Sequence, residues 1–288
     1  MRKVVIVGID ALEYEYVVKH NLKPLMLSKY GVVSIPPELY HDGVPYTPLV
    51  WTAYLTGRNP RDLGIHHIYE EPRWVVLLKK AIRITPLRLI RGKKKLLKRL
   101  GINVFKPYMI RGTTIFDVVK DSLPINVPGV NLSSEFYMIP EMIDKGLFDE
   151  AVKIAYSVAD GVFAQTIRAV KAGHYRLIFS YNNLLDIVGH LYWVKRPKLV
   201  LNAYMHTCRR VSRLLVSCRR RGYDVIILSD HGMTDSGDGV TGTHTKYGYW
   251  ASTIHDFSLS SPYELIKKVV GIVEKEDNPP VGVLQEGT

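Results

Sequence analysis

An unbroken apolar run at residues 4–9, closed by Asp10, is typical of a strand that is buried on both faces of a parallel sheet. Shorter runs of the same kind follow at residues 125–127, 177–180 and 225–229. Helical patterns lie between these runs, at residues 114–121, 149–172 and 197–221. Because strands alternate with helices, the chain is predicted to fold as α/β, with a mostly parallel central sheet and helices on both faces.

Acidic residues and histidines follow three of these predicted strands. Asp10 comes after the first strand, residues 182–186 come after the third, and Asp230 and His231 come after the fourth. In sheets of this class, ligands bind outside the carboxyl ends of the strands. The sequence therefore predicts one site at which these side chains meet.

The residue types at this edge point to metal binding. Asp186 and His190 are four residues apart, which puts both side chains on one face of a helix. Asp230 and His231 precede a glycine that allows close backbone approach, and His244 lies in a glycine-flanked loop. Carboxylate and imidazole together suit Zn²⁺, Mn²⁺ or Fe²⁺, whereas Mg²⁺ and Ca²⁺ favour oxygen alone. With the aspartate after the first strand, six groups are available, enough for two metals acting on one phosphate ester.

Thr47 is the predicted nucleophile. It precedes Pro48, which is interpreted as the first residue of a helix. A hydroxyl at a helix start meets free backbone N–H groups and the positive end of the helix dipole, which both favour a phosphoryl group. By itself, a threonine before a proline is an ordinary helix cap. Its occurrence together with the acid and histidine clusters favours the catalytic interpretation.

Five motifs occur in a fixed order along the chain. They are a strand ending in Asp10, a helix opened by Thr47-Pro and closed by Thr-Gly57, Asp186-x-x-Gly-His, Asp230-His-Gly-Met, and Gly242-x-His. This order resembles the alkaline phosphatase superfamily, specifically its type I phosphodiesterase and nucleotide pyrophosphatase branch. The resemblance covers residues 4–250 and implies an alkaline phosphatase-like fold that hydrolyses phosphate esters.

The resemblance also implies roles for individual residues, around two divalent metals that are expected to be Zn²⁺, with Mn²⁺ or Fe²⁺ as alternatives. The ligands of one metal would be Asp186, His190 and His244. The ligands of the other would be Asp10, Asp230, His231 and the oxygen of Thr47. Thr47 would form a phosphothreonine intermediate that is then hydrolysed.

The segment after the nucleophile helix departs from the branch. Nucleotide pyrophosphatases usually carry an asparagine shortly after a Gly-Ile pair, where it contacts the phosphate. Here the Gly-Ile pair at residues 64–65 is followed by His66 and His67. These histidines are candidates to contact substrate, and the substrate class is left open. Lys246 and Tyr247 are candidates to bind the phosphate or the leaving group, against the alternative of a solvated loop.

The net charge of +12 is concentrated in one segment. Residues 72–112 hold thirteen Lys and Arg and no Asp or Glu, and the remaining 26 basic residues nearly balance 27 acidic ones. The mixture of Leu, Ile and basic residues predicts an inserted helical cap. Three interpretations stay open: a solvated cap face, contact of residues 73–111 with an anionic membrane surface, or attraction of an anionic substrate or nucleic acid.

Other sequence features concern the location of the protein, its cysteines and its domain organisation. No apolar run reaches the roughly eighteen residues that a transmembrane helix requires, and the amino terminus lacks a signal-peptide pattern. The expected location is the cytoplasm, with peripheral membrane contact through the basic segment as an extension. Cys208 and Cys218 would be about 15 Å apart on one helix, too far for a disulfide. One catalytic domain over residues 1–288, with a frayed tail from residue 276, is the simplest expectation.

Three functional hypotheses follow. The first is a metal-dependent hydrolase of phosphodiester or nucleotide pyrophosphate bonds. The second is a phosphomonoesterase or phosphotransferase that acts on lipid or glycan head groups. The third is a non-catalytic protein of the same fold that binds anions through the basic segment, and the complete set of candidate metal ligands argues against it. The sequence predicts no oligomeric state.

Overall fold

A computed structural model describes residues 2–66, 69–70 and 106–274 of the chain. Its strands are β1 (Lys3–Ile9), β2 (Lys29–Ser34), β3 (Tyr40–His41), β4 (Val44–Pro45), β5 (Tyr69–Glu70), β6 (Lys106–Pro107), β7 (Ser122–Ile125), β8 (Leu177–Asn182), β9 (Tyr223–Ser229), β10 (Met233–Asp235), β11 (Gly242–His244) and β12 (Tyr247–Ser252). Its helices are α1 (Tyr14–Lys19), α2 (Lys23–Met26), α3 (Thr47–Thr56), α4 (Ile115–Val118), α5 (Ser134–Asp144), α6 (Phe148–Ala172), α7 (Leu184–Tyr192), α8 (Pro197–Arg221) and α9 (Leu265–Glu274). Short 3₁₀ helices occur at Pro37–Leu39, Pro60–Leu63 and Pro262–Glu264.

Six strands form the central sheet, in the order β2-β12-β9-β1-β8-β7. Strands β9, β1, β8 and β7 run parallel, whereas β12 is antiparallel to both β9 and β2. Val4 of β1 lies opposite Leu177 on one side and Asp224 on the other. The predicted α/β class with a mostly parallel sheet is confirmed.

Helices cover both faces of the sheet, also as predicted. Side chains alternate along β1, so Val5, Val7 and Ile9 pack in one apolar core, and Val4 and Ile6 pack in a second. Residues of α6, α7 and α8 complete the first core, and residues of α3 and α9 complete the second. Each buried side chain of this size contributes about 1.5–3 kcal/mol to folding. The two cores therefore hold β1 firmly, and with it the position of the residue that follows its carboxyl end.

A close contact at Gly8 fixes α3 against β1. A Cβ atom at this glycine would lie 2.8 Å from the Cη2 atom of Trp51, so a larger residue would push the helix off the sheet. All α3 residues from Pro48 to Thr56 are buried, and Thr47 at the helix start is half-buried. The start of α3 is thereby positioned relative to the end of β1.

The two longest helices agree with the sequence prediction. α8 spans residues 197–221 and stops before Gly222, and α6 begins one residue earlier than predicted. The predicted helix at residues 114–121 is wrong in its second half, because α4 ends at Val118. The chain then reaches Asp121, whose φ is 56°. A residue in this left-handed conformation cannot continue a right-handed helix.

The predicted strand at residues 125–127 is displaced toward the amino terminus. β7 ends at Ile125, because Asn126 has a φ of 58°. The Asn126 amide donates to the Tyr181 carbonyl (3.0 Å), and its side-chain oxygen accepts from the Ser133 N–H (2.8 Å). Asparagine is one of the few residues that tolerate this conformation. The structure also adds β2 and β12, which the sequence pattern did not predict.

Two sequence predictions fall on parts of the chain that lie almost wholly outside the described residues. These are the basic cap at residues 72–112 and the tail from residue 276. Within the described ranges, no helix is both long enough and apolar enough to cross a membrane.

Cys208 and Cys218 both lie on α8, where they are buried and free, as their spacing predicts.

Candidate active site

The carboxyl ends of β1, β8 and β9 bring the predicted metal ligands together. Asp10 directly follows β1, and its backbone N–H donates to the carbonyl of Asn182 at the end of β8 (3.0 Å). α7 begins two residues later and carries Asp186 and His190 one turn apart. Asp230 directly follows β9. Because β1 lies between β8 and β9 in the sheet, the three strand ends are neighbours.

The first cluster consists of Asp10, Asp230 and His231, with Thr47 beside it. The Nε2 atom of His231 lies 3.2 Å from Oδ1 of Asp10 and 3.4 Å from Oδ2 of Asp230. The Thr47 hydroxyl lies 3.4 Å from the same Nε2 atom. The two aspartates and His231 are buried, whereas Thr47 is half-buried. The hydroxyl is therefore the most accessible of the four groups.

The second cluster consists of Asp186, His190 and His244. The Nε2 atom of His190 lies 3.2 Å from Oδ1 of Asp186 and 2.9 Å from Nε2 of His244, which is itself 3.6 Å from that carboxylate oxygen. The Nδ1 atoms lie near backbone carbonyls, 3.0 Å from Gly242 for His190 and 2.8 Å from Pro45 for His244. A carbonyl at Nδ1 keeps the proton on that nitrogen and leaves Nε2 free to bind a metal.

The two clusters meet at His231 and His244. Their rings stack with 3.5 Å between the centroids and 13° between the planes. The ligand atoms of the first cluster lie within 4.8 Å of one another, and so do those of the set Asp186, His231 and His244. His231 is therefore within reach of both groups, whereas the sequence assigned it to one. His190 belongs to the second cluster, because its Nε2 atom is close to both Asp186 and His244.

Four buried carboxylate oxygens in these clusters accept no hydrogen bond among the described residues, and the histidine nitrogens near three of them, at 3.2–3.6 Å, neutralise their charge only if protonated. The four oxygens are Oδ1 of Asp10, Oδ1 of Asp186, and both oxygens of Asp230. Burying an ionised carboxylate without a partner carries a large free-energy cost, and buried charges in proteins are paired or coordinate metals. Bound cations would remove this cost. The mixed oxygen and nitrogen donors fit Zn²⁺, Mn²⁺ or Fe²⁺.

The electrostatics of the two clusters differ. Burial, and then the charge of Asp10, raise the pKa of Asp230 well above its usual range. Burial also opposes ionisation of Asp186, but His190 and His244 hold the pKa of that carboxyl well below its usual range. The Asp186 carboxylate in turn raises the pKa of His190 to about 9. Ionising both aspartates of the first cluster is therefore unfavourable without an added positive charge, whereas two histidines already stabilise the Asp186 carboxylate, so a cation would be stabilised most at the first cluster.

Three buried residues that the sequence did not single out surround the clusters. The Tyr181 hydroxyl donates to Oδ2 of Asp10. The Glu13 carboxylate accepts from the N–H of Met233 (3.0 Å) and so ties the loop after β1 to the Asp-His-Gly-Met motif. Asn182 is buried with both atoms of its side-chain amide unpartnered among the described residues. Glu13 could have been found as an acid three residues beyond Asp10. Tyr181 carries no such signal, because it belongs to a strand, and Asn182 was predicted near the site only as part of the stretch 182–186 after the third strand.

The predicted substrate-binding residues have different surroundings. The Tyr247 hydroxyl donates to the carboxylate of Glu13 (2.6 Å). The side chain of Lys246 is exposed, and its backbone carbonyl accepts from the hydroxyl of Tyr40 (3.2 Å). His66 is exposed, and His67 lies outside the described residues. The substrate-binding roles stay predictions.

Thr47 is part of α3 and does not precede it. The helix begins at Thr47, with Tyr46 as its N-cap residue and Pro48 at the second position. The sequence prediction, with Pro48 first, is off by one residue. Proline fits either position, because the N–H groups of the first helical turn have no partner within the helix. The Thr47 hydroxyl still lies at the helix start.

Close packing of Gly189, Met233 and Gly242 joins the three histidine motifs. A Cβ atom at Gly189 would lie 2.7 Å from Cε of Met233. A Cβ atom at Gly242 would lie 2.8 Å from Cγ of Met233 and 2.9 Å from the carbonyl oxygen of Gly189. Met233 of β10 also lies opposite His244 of β11. The motif glycines are therefore required by contact between the three segments.

Replacing Gly242 with alanine is expected to weaken metal binding by about 10–100-fold, the range seen when groups that orient metal ligands are lost. The Gly189 carbonyl is helix backbone and cannot give way, so β11 would shift and carry His244 with it. The matched control is Gly189→Ala, whose added methyl would have only side-chain atoms of Met233 as its three nearest neighbours, and a side chain can shift more easily than helix backbone. Competition with a chromogenic chelator measures both affinities. Equal losses in the two variants would contradict this account.

A sequence model of the type I phosphodiesterase / nucleotide pyrophosphatase family matches residues 4–248. The comparison with curated proteins finds no match. Among solved structures, the chain is similar to phosphonoacetate hydrolase from Sinorhizobium meliloti 1021 in complex with phosphonoformate, with a TM-score of 0.53 and 9% identity over 94% of this chain and 96% of that chain.

A second similar structure is murine ectonucleotide pyrophosphatase/phosphodiesterase 5, with a TM-score of 0.45 and 18% identity over 82% of this chain and 59% of that chain. The likeness to the hydrolase shows a shared fold. The family match covers most of the sequence. The chain thus belongs to the type I phosphodiesterase / nucleotide pyrophosphatase family, a metal-dependent group of phosphoester hydrolases within the alkaline phosphatase superfamily.

Proposed function

We propose that this chain hydrolyses phosphodiester or nucleotide pyrophosphate bonds with two divalent cations and a phosphothreonine intermediate on Thr47. The observation that carries the proposal is the position of the Thr47 hydroxyl beside a cluster of buried carboxylates with unpartnered oxygens. A threonine hydroxyl is a weak nucleophile unless a base or a metal activates it. Next to a site suited to cations, it can lose its proton at neutral pH.

The candidate ligands divide into two sets. Asp186, His190 and His244 would hold one metal. Asp10, Asp230 and His231, together with the Thr47 oxygen, would hold the other. When bound, the two cations supply positive charge to the entering and leaving oxygens of a displacement at phosphorus. Zn²⁺ is the expected metal, and Mn²⁺ and Fe²⁺ suit the same donors.

The chain itself directs the reaction through α3. The Thr47 oxygen attacks phosphorus and forms a threonine phosphate, while the bond to the leaving group breaks and that group takes up a proton. Because α3 is buried from Pro48 onward, the hydroxyl is held at one distance from His231, and attack proceeds from one direction. Water then cleaves the threonine phosphate, and Thr47 recovers its proton.

A cavity beside His190 has room for the organic part of a substrate. Its volume is about 590 Å³, and its lining includes Phe148, Asp149, Lys195 and Arg196. Pockets that bind small molecules commonly have volumes of roughly 300–1,000 Å³ and combine apolar walls with a few polar groups. Space of this size next to the second cluster favours an ester with a sizeable organic group.

The purified, metal-loaded protein is expected to hydrolyse bis-p-nitrophenyl phosphate about tenfold or more faster, in kcat/KM, than p-nitrophenyl phosphate. The expected preference has the size of a modest difference in pocket binding. Release of p-nitrophenol measures both rates. Dialysis against a chelator should abolish turnover, and Zn²⁺ or Mn²⁺ should restore it.

The same experiment separates the competing hypotheses. A strong preference for the monoester would replace the proposal with a phosphomonoesterase or a phosphotransferase. No turnover of either ester by protein that holds two metals per chain would favour a non-catalytic anion-binding protein.

A further inference from the structure

α8 carries an unusual distribution of charge. Its 25 residues include seven Lys and Arg and no Asp or Glu. The net charge of the chain outside residues 72–112 is close to zero, but α8 is a second strongly basic element within that part. The helix packs against β9 and α6, so its position within the fold is known.

The basic residues concentrate on the outer face of α8. Successive residues of an α-helix are rotated by about 100°, so eight exposed residues fall within an arc of roughly 120°. This outer stripe consists of Lys198, Asn202, Met205, Arg209, Arg213, Val216, Arg219 and Arg220. The inward face is apolar and buried, with Val200, Tyr204, Val211 and Leu214 in the first core. The outer stripe is roughly 33 Å long at a rise of 1.5 Å per residue.

Within the described part of the chain, no carboxylate pairs with the arginines of the outer stripe. Arg210 and His206, which lie to the side of the stripe, both contact Asp160 of α6 (2.7 Å each). The neighbouring helix α6 adds no net charge, because Lys153, Arg168 and Lys171 are balanced by Asp149, Glu150 and Asp160. The outer stripe thus has positive charge that the protein itself does not neutralise.

A purely structural reason explains part of this charge. Arg219 and Arg220 lie in the last turn of α8, where cations are stabilised by the helix dipole. The dipole effect falls off within one turn, so it does not account for Arg209 and Arg213. It also does not account for two apolar side chains in the stripe, Met205 (41% exposed) and Val216 (53% exposed).

We propose that the outer stripe of α8 binds the surface of an anionic phospholipid membrane. Arginine guanidinium groups bind phosphate oxygens of lipid head groups, and the negative surface potential of anionic lipids attracts a basic helix. Met205 and Val216 would reach the boundary with the acyl chains, as apolar residues of interfacial helices do. Exposed apolar groups between the arginines favour a lipid surface over the sugar-phosphate backbone of a nucleic acid. This binding is independent of the proposed catalytic function.

The test is flotation of the full-length protein with vesicles. Phosphatidylcholine vesicles with about one-third phosphatidylserine are compared with vesicles of phosphatidylcholine alone. The wild-type protein should float with the anionic vesicles, and added salt should release it. The triple variant Arg209→Glu/Arg213→Glu/Arg220→Glu should lose binding by about 100-fold or more, with unchanged helical circular dichroism. The corresponding triple glutamine variant should show a smaller loss.

The matched control reverses three exposed basic residues on the opposite layer of the fold, Arg58→Glu/Lys120→Glu/Lys267→Glu. It makes the same change in net charge and should keep most of the vesicle binding. Residues 93–95, the lysine run of the basic segment, are unchanged in every variant, so the comparison isolates α8. Equal binding by the α8 variant and the control would overturn the proposal. So would failure of the wild-type protein to bind anionic vesicles, including the case in which it binds duplex RNA or DNA instead.

Discussion

Replacing Thr47 with alanine is expected to lower kcat for diester hydrolysis by about 10⁴-fold or more, the scale seen when a nucleophile is removed from an enzyme. The reason is that no other described hydroxyl occupies its position beside His231. Each metal would keep three protein ligands, so metal content should stay at two per chain. Hydrolysis of bis-p-nitrophenyl phosphate and metal analysis of the same preparation are the two measurements.

Two controls make this result specific. Thr47→Ser keeps a hydroxyl at the start of α3 and should keep measurable activity. Thr52→Ser lies one turn further along the same helix, where the Thr52 hydroxyl donates to the Pro48 carbonyl (2.7 Å), and it should leave activity close to wild type. Activity of Thr47→Ala close to wild type, with both metals bound, would remove the nucleophile assignment.

Trapping of the intermediate gives an independent check of the same step. A short incubation of the wild-type protein with substrate, quenched in acid, should leave phosphate on Thr47 in a fraction of the molecules. Mass spectrometry of the peptide that contains α3 would detect it. Thr47→Ala should show no such adduct at any time point, whereas Thr52→Ser should be labelled to the same extent as the wild-type protein.

The sequence predicted which side chains lie together better than it predicted the details of the fold, and there is a physical reason for this. Parallel strands that are buried on both faces must deliver their carboxyl ends to one edge. Once the strand before Asp10 and the strand before Asp230 are recognised, their meeting follows from the fold class. The i, i+4 spacing of Asp186 and His190 is equally local. These predictions needed no knowledge of which strands are neighbours.

The missed features depend on contacts between distant parts of the chain. Tyr181 and Glu13 support the clusters through single hydrogen bonds to Asp10 and Met233, and no periodicity marks such a bond. The ring stacking of His231 on a second histidine, which brings the two clusters into contact, depends on the pairing of β10 with β11. The displaced strand at β7 depends on one asparagine with a positive φ.

The charge of the chain shows a related difficulty. Counting residues along the sequence identified the segment at residues 72–112, because its basic residues are close together in the chain. On α8 the basic residues are separated by apolar ones that face the core, so the same density of charge appears only after the helix is placed against the sheet. Local runs are visible in a sequence, whereas a face must be assembled from residues three and four apart.

Asp230→Asn is expected to stabilise the metal-free protein and to destabilise the metal-loaded protein. Without cations, Asp230 is fully buried beside Asp10, and neither of its oxygens has a hydrogen-bond partner among the described residues. The amide of asparagine has almost the same shape, carries no charge, and can donate to the Asp10 carboxylate. Relief of an unsatisfied buried group contributes about 1–3 kcal/mol, so Tm of the metal-free variant should rise by roughly 2–10 °C.

With metals present the sign reverses, because ligands that bind only the folded state add to its stability and the variant loses one of them. Metal content should fall from two ions per chain to one, and Tm should drop below that of the loaded wild type. The matched control is Asp224→Asn at the other end of β9, where Asp224 pairs with Arg2 (3.0 Å); its effect should be the same with and without metals. If only the Asp230→Asn variant has a higher Tm than the wild type without metals and a lower Tm with metals, then Asp230 stabilises the metal-bound protein and destabilises the metal-free protein. If the Asp230→Asn variant were less stable in both states, with two metals still bound, this carboxylate would be held by contacts other than a metal.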